Sequence, residues 1–316
     1  MKRFFWFVTI VIVIGLGGWL SFRYFTSPLD PNSSQTLTIV IKPGSNVTSI
    51  ANLLVDKGLI RSSAIFKLVV RYYHYDDKLQ AGLFHLSPSQ SLKEIIFSLM
   101  HGQDDRWLTI PEGFRREQIA ELLSKNFSLS QSQFLELSKQ KEGYLFPDTY
   151  LIPVNTTSQQ VLNLLLANYQ KKLQPLQPLI KKSSLTEHQI ITLASIVERE
   201  TLSDQEKPIV AGILLKRLRH NWPLQVDATI QYILGKPGNW WPVPTLADRK
   251  INSPYNTYLN LGLPPTPIAN PGLASIKAVL QPQDSSYWFY LHDNQGHIHY
   301  ATTNQEHQLN INRYLK

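Results

Sequence analysis

The most strongly apolar stretch of the chain is residues 4–22, FFWFVTIVIVIGLGGWLSF, which contains no charged side chain. A helix of this length, at about 1.5 Å per residue, can cross the roughly 30 Å of hydrocarbon in a bilayer. Lys2 and Arg3 precede the run, so the positive-inside rule predicts a cytoplasmic N-terminus and an external bulk. A cleaved signal peptide is the alternative, but no clear small-x-small cleavage site follows the run, which favours a retained anchor.

A second apolar pattern lies in residues 185–201, which read LTEHQIITLASIVERET. Ser184 is predicted to cap a helix here, with Glu187 completing an S-x-x-E capping box. Apolar side chains cover most of the helix circumference, which predicts a helix buried in a core. These residues are Ile190, Ile191, Leu193, Ala194, Ile196 and Val197.

Two acids at the end of this helix are candidates for acid catalysis. At about 100° per residue, Glu198 and Glu200 lie about 200° apart, on opposite sides of the apolar face. A carboxyl group at the edge of an apolar element is desolvated, and desolvation raises a carboxyl pKa as a general acid requires. Two solvated acids at a helix end are the competing interpretation, and the helix geometry does not say which acid faces a cleft.

Residues 26–36 read as a linker between an N-terminal anchor, residues 1–25, and a small α/β module, residues 37–105. In this module, strands are predicted at residues 37–41 and 81–86. Helices are predicted to begin near residues 46, 62 and 91. The order of strand, Pro-Gly turn and amphipathic helix resembles LysM modules, which bind the glycan of peptidoglycan. A plain spacer domain is the alternative.

The remaining residues, 106–316, mix helices, short strands and proline-rich loops, which predicts a mixed α+β domain built around the buried helix. One loop, EGYLFPDTY, brings Glu142, Tyr144 and Asp148 together. Aromatic rings stack on sugar faces and carboxylates accept hydrogen bonds from hydroxyl groups, so this loop suits sugar binding. An aromatic plug of the core is the alternative.

Two later segments carry further polar candidates. The first part of LQVDATIQY is predicted to be extended, with Gln225 and Asp227 on one side. The stretch around Tyr255 and Asn256, SPYNTY followed by GLPPTPI, is too rich in proline for a helix or a central strand. It therefore forms an ordered loop, and long ordered loops are disproportionately functional.

Composition narrows the function classes. The chain has 316 residues, a net charge of +8 and no cysteine, which excludes disulfides, thiol catalysis and Cys-ligated metals. The basic balance suits an anionic envelope surface or an acidic polymer, and no RNP motif, zinc knuckle or long Lys/Arg run indicates nucleic acid. The nine histidines form no H-x-x-x-H or H-E-x-x-H pattern, so no metal site and no metallopeptidase is indicated.

A series of motifs in order resembles the MltG (YceG-like) endolytic murein transglycosylases. The motifs are EGYLFPDTY, ASIVERET, LQVDATIQYILG, SPYNTY with GLPPTPIANPG, and FYLHD with NQGHIHYATTNQEH. The similarity runs from about residue 37 to the last residues, with the anchor in its expected place. Two loop positions depart from the family pattern, Thr266 where Gly is usual and Ala228 where Pro is common.

The resemblance implies cleavage of the β-1,4 bond between N-acetylmuramic acid and N-acetylglucosamine inside glycan strands, leaving 1,6-anhydro ends and consuming no water. The family's catalytic acid is the Glu of its A-S-I-V-E motif, which is Glu198 here. One carboxylate suffices because the C6 hydroxyl of the substrate is the nucleophile, whereas glycoside hydrolysis usually uses two. The expected substrate contacts are Glu142, Tyr144, Asp148, Glu200, Gln225, Asp227, Tyr255 and Asn256.

The resemblance also implies a single-pass protein of the inner (cytoplasmic) membrane with a periplasmic or external catalytic domain. Such a protein would work beside peptidoglycan synthases, terminate nascent strands and need no cofactor. The sequence is also compatible with two other functions. A hydrolytic muramidase would use Asp227 to activate water, and a non-enzymatic scaffold would bind glycan and recruit synthases.

Overall fold

The computed structural model describes residues 2–101, 105–154 and 156–315, with side chains throughout except at residues 2–5, 7–14 and 101. Helices and short two-stranded sheets alternate along this chain, which confirms the predicted mixed α+β class.

The chain forms two compact units, Met1–Leu108 with Tyr150–Thr156, and Thr109–Thr149 with Thr157–Lys316. The sequence placed one boundary between residues 105 and 106. It did not predict that the chain returns to the first unit at residue 150.

In the first unit, a two-stranded sheet packs against three helices. Strand β1 (Leu37–Ile41) pairs antiparallel with β2 (Gly82–Leu86), with Ile39 opposite Phe84. The helices are α2 (Val47–Asp56), α3 (Ser63–Tyr72) and α4 (Leu92–His101). Asn46 and Ser62 cap α2 and α3 with their side chains, as the sequence predicts. Alternate strand residues then join the helices in one apolar core, because successive strand side chains point to opposite faces.

Helix α1 (Lys2–Thr26) covers the apolar run that predicts the membrane anchor. The side chains of residues 7–14, in the middle of that run, lie outside the described residues. Within the described part of the chain, no helix combines the length and apolarity that crossing a membrane requires. The anchor therefore stays a prediction.

The second unit is mostly helical. A short sheet pairs β3 (Asp105–Thr109) with β4 (Thr149–Pro153), and most of its residues belong to the first unit. Within the second unit, β5 (Phe289–His292) forms an antiparallel hairpin with β6 (Ile298–Ala301). The helices are α5 (Arg116–Asn126), α6 (Gln131–Leu137), α7 (Ser158–Leu173), α8 (Gln177–Lys182), α9 (Glu187–Glu200), α10 (Lys207–Arg219), α11 (Asp227–Leu234), α12 (Leu273–Leu280) and α13 (Asn304–Tyr314). Short 3₁₀ turns occur at Gln174–Leu176 and Asp248–Lys250.

Helix α9 lies at the centre of this unit and packs against α10, α11 and α12. Every side chain from Ile190 to Val197 is buried, including those of Thr192 and Ser195, which confirms the predicted buried helix. The buried hydroxyl group of Ser195 has two hydrogen-bond partners: Ser195 Oγ donates to Thr192 O and accepts from Ile268 N.

The predicted cap of α9 is wrong by two residues. Thr186, not Ser184, is the N-cap, and its hydroxyl accepts from Gln189 N. The Gln189 side chain completes the box by accepting from Thr186 N. Glu187 instead accepts a hydrogen bond of 2.8 Å from the buried Tyr169 hydroxyl.

The segment around Asp227 also differs from the prediction. Asp227 is the first residue of α11 and not part of an extended run. Gln225, two residues earlier, has a φ of 52°, a left-handed conformation that non-glycine residues rarely adopt. This turn lets the Gln225 amide donate to Thr257 O and ties α11 to the proline-rich loop.

Gly212, inside α10, gives a stability test of this packing. A Cβ atom at Gly212 would overlap the carbonyl oxygen of Gln283, whose amide donates to Pro208 O. Helix propensity alone would make Gly212→Ala stabilising by about 1 kcal/mol. We expect the overlap to reverse this and lower the free energy of unfolding by about 1–3 kcal/mol in thermal unfolding. Gly18→Ala, in open space on α1, is the matched control. A raised melting temperature in Gly212→Ala would contradict the packing.

Candidate active site

The Glu198 carboxylate is held at the end of α9 by three donors from other elements. Lys207 Nζ donates to Glu198 Oε1 at 3.2 Å. Gly272 N and Ser275 Oγ donate to Glu198 Oε2 at 2.9 and 2.7 Å. The side chain is 8% exposed, so this carboxylate has a fixed orientation.

The backbone at Gly272 is suited to this contact. Gly272 is the N-cap of α12, and its free amide points at the carboxylate as helix N-terminal amides do toward anions. A Cβ atom at this position would overlap the Glu112 carboxylate. Glycine therefore allows Glu112 and Glu198 to approach the same stretch of backbone.

Lys207 links Glu198 to two further carboxylates. Its Nζ atom lies 2.8 Å from Asp204 and 3.9 Å from Glu112, and its side chain is only 6% exposed. Burial lowers the pKa of Lys207, but the bonds to Asp204 and Glu198 outweigh burial and raise it. Burial and the charge of Glu198 raise the pKa of Glu112, whose side chain is 51% exposed. The site thus pairs a fixed carboxylate with a more accessible one.

Asn270 holds the loops beneath this site. Its side-chain amide donates to Phe114 O and to Glu142 Oε1, both at 2.9 Å, and its Oδ1 accepts from Leu145 N. Its backbone exchanges hydrogen bonds with Gly113 and Phe114. One buried asparagine therefore fixes the 113–116 turn, the 142–145 loop and the chain leading to Gly272.

Glu142 lies inside the protein and does not face a cleft. It is 5% exposed and accepts from Arg116 N as well as from Asn270. Burial raises its pKa to about 8, although Arg115 and the Arg116 amide act in the opposite direction. Glu142 therefore holds two loops together by hydrogen bonds and is not placed to bind a sugar.

Glu200 faces the opposite side of α9, as the helix geometry predicts. Its Oε1 accepts from Ala228 N at 3.2 Å and its Oε2 from Tyr290 Oη at 2.9 Å. Burial raises the pKa of Glu200 above its ordinary value, more than these two hydrogen bonds lower it. Glu200 therefore joins α9 to α11 and the β5–β6 hairpin.

Asp227 lies on the Glu200 side of the helix. Arg249 donates to both of its carboxylate oxygens, at 3.2 and 3.0 Å, and Tyr258 Oη donates at 2.6 Å. Both oxygens are thus engaged within the protein. The neighbouring Gln225 side chain is exposed.

Tyr144 and Asp148 lie apart from the end of α9. The Tyr144 hydroxyl is 2.9 Å from His188 Nδ1, near the start of α9, and ten residues of helix separate His188 from Glu198 by about 15 Å. Asp148 contacts Asn168 and Lys172 on α7. Burial alone would raise the Asp148 pKa, but these two contacts outweigh it and lower the pKa.

The two residues predicted in the proline-rich loop, Tyr255 and Asn256, form hydrogen bonds within that loop and its flanking segment. Asn256 is fully buried, with its amide bonded to Arg249 O and Ile251 O. The Tyr255 hydroxyl is 2.7 Å from Thr266 Oγ1, a contact that the glycine usual at this position could not make.

The structure therefore brings Glu198 together with residues that sequence reasoning missed. These are Glu112, Asp204, Lys207, Gly272 and Ser275. The Pro-Glu-Gly turn at residue 112 was a local signal for an accessible carboxylate, whereas nothing near Lys207 indicates its role. In the described part of the chain, no group of three or more His, Asp or Glu side chains is arranged to hold a metal ion.

The chain is similar to several known proteins. Residues 39–313 match the YceG-like family. An endolytic murein transglycosylase of Streptococcus pneumoniae serotype 2 (strain D39 / NCTC 7466) is 30% identical over 98% of this chain. One of Bacillus subtilis (strain 168) is 29% identical over 96% of this chain and 91% of its own length. A crystal structure of a putative YceG-like protein from Listeria monocytogenes has a TM-score of 0.60 at 27% identity, over 88% of this chain and 99% of that chain.

The relatives differ in length from the present sequence. The chain spans 64% of the pneumococcal protein that it matches.

Replacing Lys207 tests the carboxylate cluster. In Lys207→Met, Glu198 and Asp204 would lose their cation, and the pKa of Glu112, which burial and the charge of Glu198 already raise, would lose the lowering effect of Lys207. We expect the melting temperature to fall relative to the wild type, with a difference that widens from pH 5 to pH 8. Lys181→Met, at an exposed lysine of α8, should show no such trend. A pH-independent difference in Lys207→Met would contradict this account.

Glu142 predicts a second pH effect. Its folded-state pKa of about 8 lies above the ordinary value of 4.5, so its contribution to stability is complete below pH 4.5 and is lost as pH rises through 8. Glu142→Gln keeps an acceptor for Arg116 N and Asn270 but cannot ionise. We expect the variant to gain about 3 kcal/mol on the wild type between pH 5 and pH 8 in denaturant unfolding. Parallel pH profiles for the two proteins would rule this out.

Proposed function

The chain belongs to the YceG-like family, and we propose that it is an endolytic murein transglycosylase. It would cleave the β-1,4 bond between N-acetylmuramic acid and N-acetylglucosamine inside a glycan strand and leave a 1,6-anhydro end. The observation that carries this proposal is the carboxylate of Glu198, oriented by Lys207, Gly272 and Ser275. The curated relatives that bear this activity in their names support it.

In the proposed reaction, protonated Glu198 gives its proton to the glycosidic oxygen as the bond from that oxygen to C1 breaks. The C6 hydroxyl of the same muramic acid then attacks C1, and the Glu198 carboxylate takes the hydroxyl proton. One proton leaves Glu198 and one returns, so the residue is regenerated and no water is consumed. The Lys207 ammonium keeps the carboxylate in place through both transfers.

Two glycines lie against this carboxylate. Gly113 has a φ of 74°, and a Cβ atom there would lie 3.6 Å from Glu198 Cγ. Gly272 likewise carries no side chain beside Glu198 Oε2. The substrate would therefore approach Glu198 over backbone, beside the half-exposed Glu112. Among the predicted substrate contacts, we assign Glu142 and Asn256 to the support of the site, and Glu200 and Asp227 to the opposite side of α9, away from Glu198.

The state of Asp227 argues against a hydrolase in which Asp227 activates water. A hydrolase needs a second carboxylate that is free to activate water. Both oxygens of Asp227 are engaged by Arg249 and Tyr258, on the side of α9 that faces Glu200.

We extend the proposal to the N-terminal part of the chain. The apolar run of residues 4–22 after Lys2 and Arg3 supports an anchor in the inner (cytoplasmic) membrane, with the catalytic domain periplasmic or external. Two helices between antiparallel strands β1 and β2 support a LysM-like module that binds glycan. Peptidoglycan synthases are the expected partners, since the proposed reaction ends a strand that they extend.

Product analysis in ¹⁸O-water tests the proposed reaction. The full chain in detergent would be incubated with uncrosslinked glycan strands, and the ends analysed by mass spectrometry. We expect 1,6-anhydro-muramyl ends without ¹⁸O, because the C6 hydroxyl and not water attacks C1. Reducing ends that carry ¹⁸O would establish a hydrolase instead. Strands that are bound but not cleaved would favour the scaffold.

A further inference from the structure

Arg199 lies between the two carboxylates of α9 but is bonded to neither. Its guanidinium carbon lies 4.0 Å from the centre of the Trp241 ring. Among the described residues, its Nε atom is buried without a hydrogen-bond partner, and no ion pair within 4.0 Å is formed by its guanidinium. A cation in this position is unusual, because a desolvated charge costs free energy unless it is paired.

The neighbouring charges are satisfied by other groups. Glu198 is paired with Lys207, and Glu200 accepts from Ala228 N and Tyr290 Oη. Burial lowers the pKa of Arg199, and the charges of Glu198 and Glu200 raise it only in part. The ring of Trp241 contributes a cation–π interaction, which strengthens where the cation is desolvated. The guanidinium therefore keeps hydrogen-bonding capacity that the protein does not use.

Arg199 is also held in one place and is partly exposed. The Trp241 indole is fixed by a hydrogen bond of 3.0 Å to Gln118 Oε1, so the ring supports the guanidinium from a set position. Gly113 passes over the other groups of the site without a side chain, and a Cβ atom there would lie 3.2 Å from Arg199 Nη1. The same stretch of backbone thus borders the partly exposed side chains of both Arg199 and Glu198.

We propose that Arg199 binds a carboxylate carried by the muramic acid next to the scissile bond. This inference rests on the proposed function, since it assigns one group of the proposed substrate. A planar guanidinium pairs with a carboxylate through two parallel hydrogen bonds, which fixes the sugar in orientation as well as in position. Muramic acid carries a lactyl carboxyl group, which is free in strands without stem peptides. In strands with stem peptides it is amide-linked, and the peptide supplies carboxylates of its own.

Arg115 provides a matched comparison in the same cluster. Its guanidinium lies over Tyr232 and Trp240, at 4.1 and 5.0 Å. Unlike Arg199, it pairs with Glu117 at 3.2 Å and donates to Tyr232 O. An arginine that only supports the aromatic cluster should therefore behave like Arg115.

The test varies two factors together: the charge of the glycan strand and the residue at position 199. Three sets of strands are compared: strands freed of stem peptides, the same strands with the lactyl carboxyl converted to a methylamide, and strands with intact stem peptides. The proteins are the wild type, Arg199→Gln, Arg199→Lys and Arg115→Gln, each checked by thermal unfolding. Cleavage gives kcat and KM. Binding of the same strands to these proteins in a Glu198→Gln background gives an affinity that does not depend on turnover.

We expect the wild type to bind carboxylate-bearing strands about tenfold to a hundredfold more tightly than methylamide strands. Arg199→Gln should lose this preference and bind the methylamide strands as the wild type does. Arg199→Lys should keep part of the preference, and Arg115→Gln should keep all of it. A preference seen only with intact stem peptides would assign the carboxylate to the peptide and still support the site.

Equal binding of all three sets of strands by the wild type would overturn the proposal. So would an equal loss on both substrates in Arg199→Gln, because that result assigns Arg199 a structural role. Failure of the proposed function is a separate result: the wild type would then leave no anhydro ends on any strand, while the binding comparison would still decide whether Arg199 holds a carboxylate.

Discussion

Three charged residues at the end of a buried helix are the constraint on which the second unit depends. Helix α9 is apolar on nearly its whole circumference, so its last turn brings Glu198, Arg199 and Glu200 out of a dry core. Charges that leave a core in this way need partners, since unpaired they would cost several kcal/mol each. Each of the three points in a different direction and meets a different part of the chain.

The partners turn this constraint into a site. Lys207 and the first turn of α12 meet Glu198, the first turn of α11 and Tyr290 meet Glu200, and the ring of Trp241 supports Arg199. The surrounding loops hold these contacts in place, because the side chain of Asn270 hydrogen-bonds the loops to one another. Only Glu198 combines a fixed orientation with glycine backbone on its open side, although burial raises the pKa of Glu200. Geometry thus favours Glu198 as the catalytic acid, whereas the raised pKa favours Glu200. We assign the role to Glu198 on geometry.

Local patterns predicted those features that depend on one element. The burial of α9 follows from its apolar residues, and the opposite directions of Glu198 and Glu200 follow from about 100° of rotation per residue. The cap was misplaced because Ser184 with Glu187 and Thr186 with Gln189 both fit a capping box, and the long-range bond from Tyr169 to Glu187 decides between them. The partners of Glu198 were missed because they lie on other elements: Glu112 and Ser275 are distant in the chain, and Lys207 begins the next helix. Asn256 and Glu142 were polar residues in promising loops, and only tertiary packing reveals that they face inward.

The most direct test of the account compares the two acids of α9 as isosteric amides. The rate of anhydro-end formation would be measured for Glu198→Gln and Glu200→Gln on the same uncrosslinked strands, with unfolding curves to verify that both variants fold. The account predicts that Glu198→Gln loses about 10²–10⁴-fold in rate, as expected for a general acid, while Glu200→Gln stays within about tenfold of the wild type. A large loss in Glu200→Gln with little change in Glu198→Gln would contradict it and transfer the acid role to Glu200.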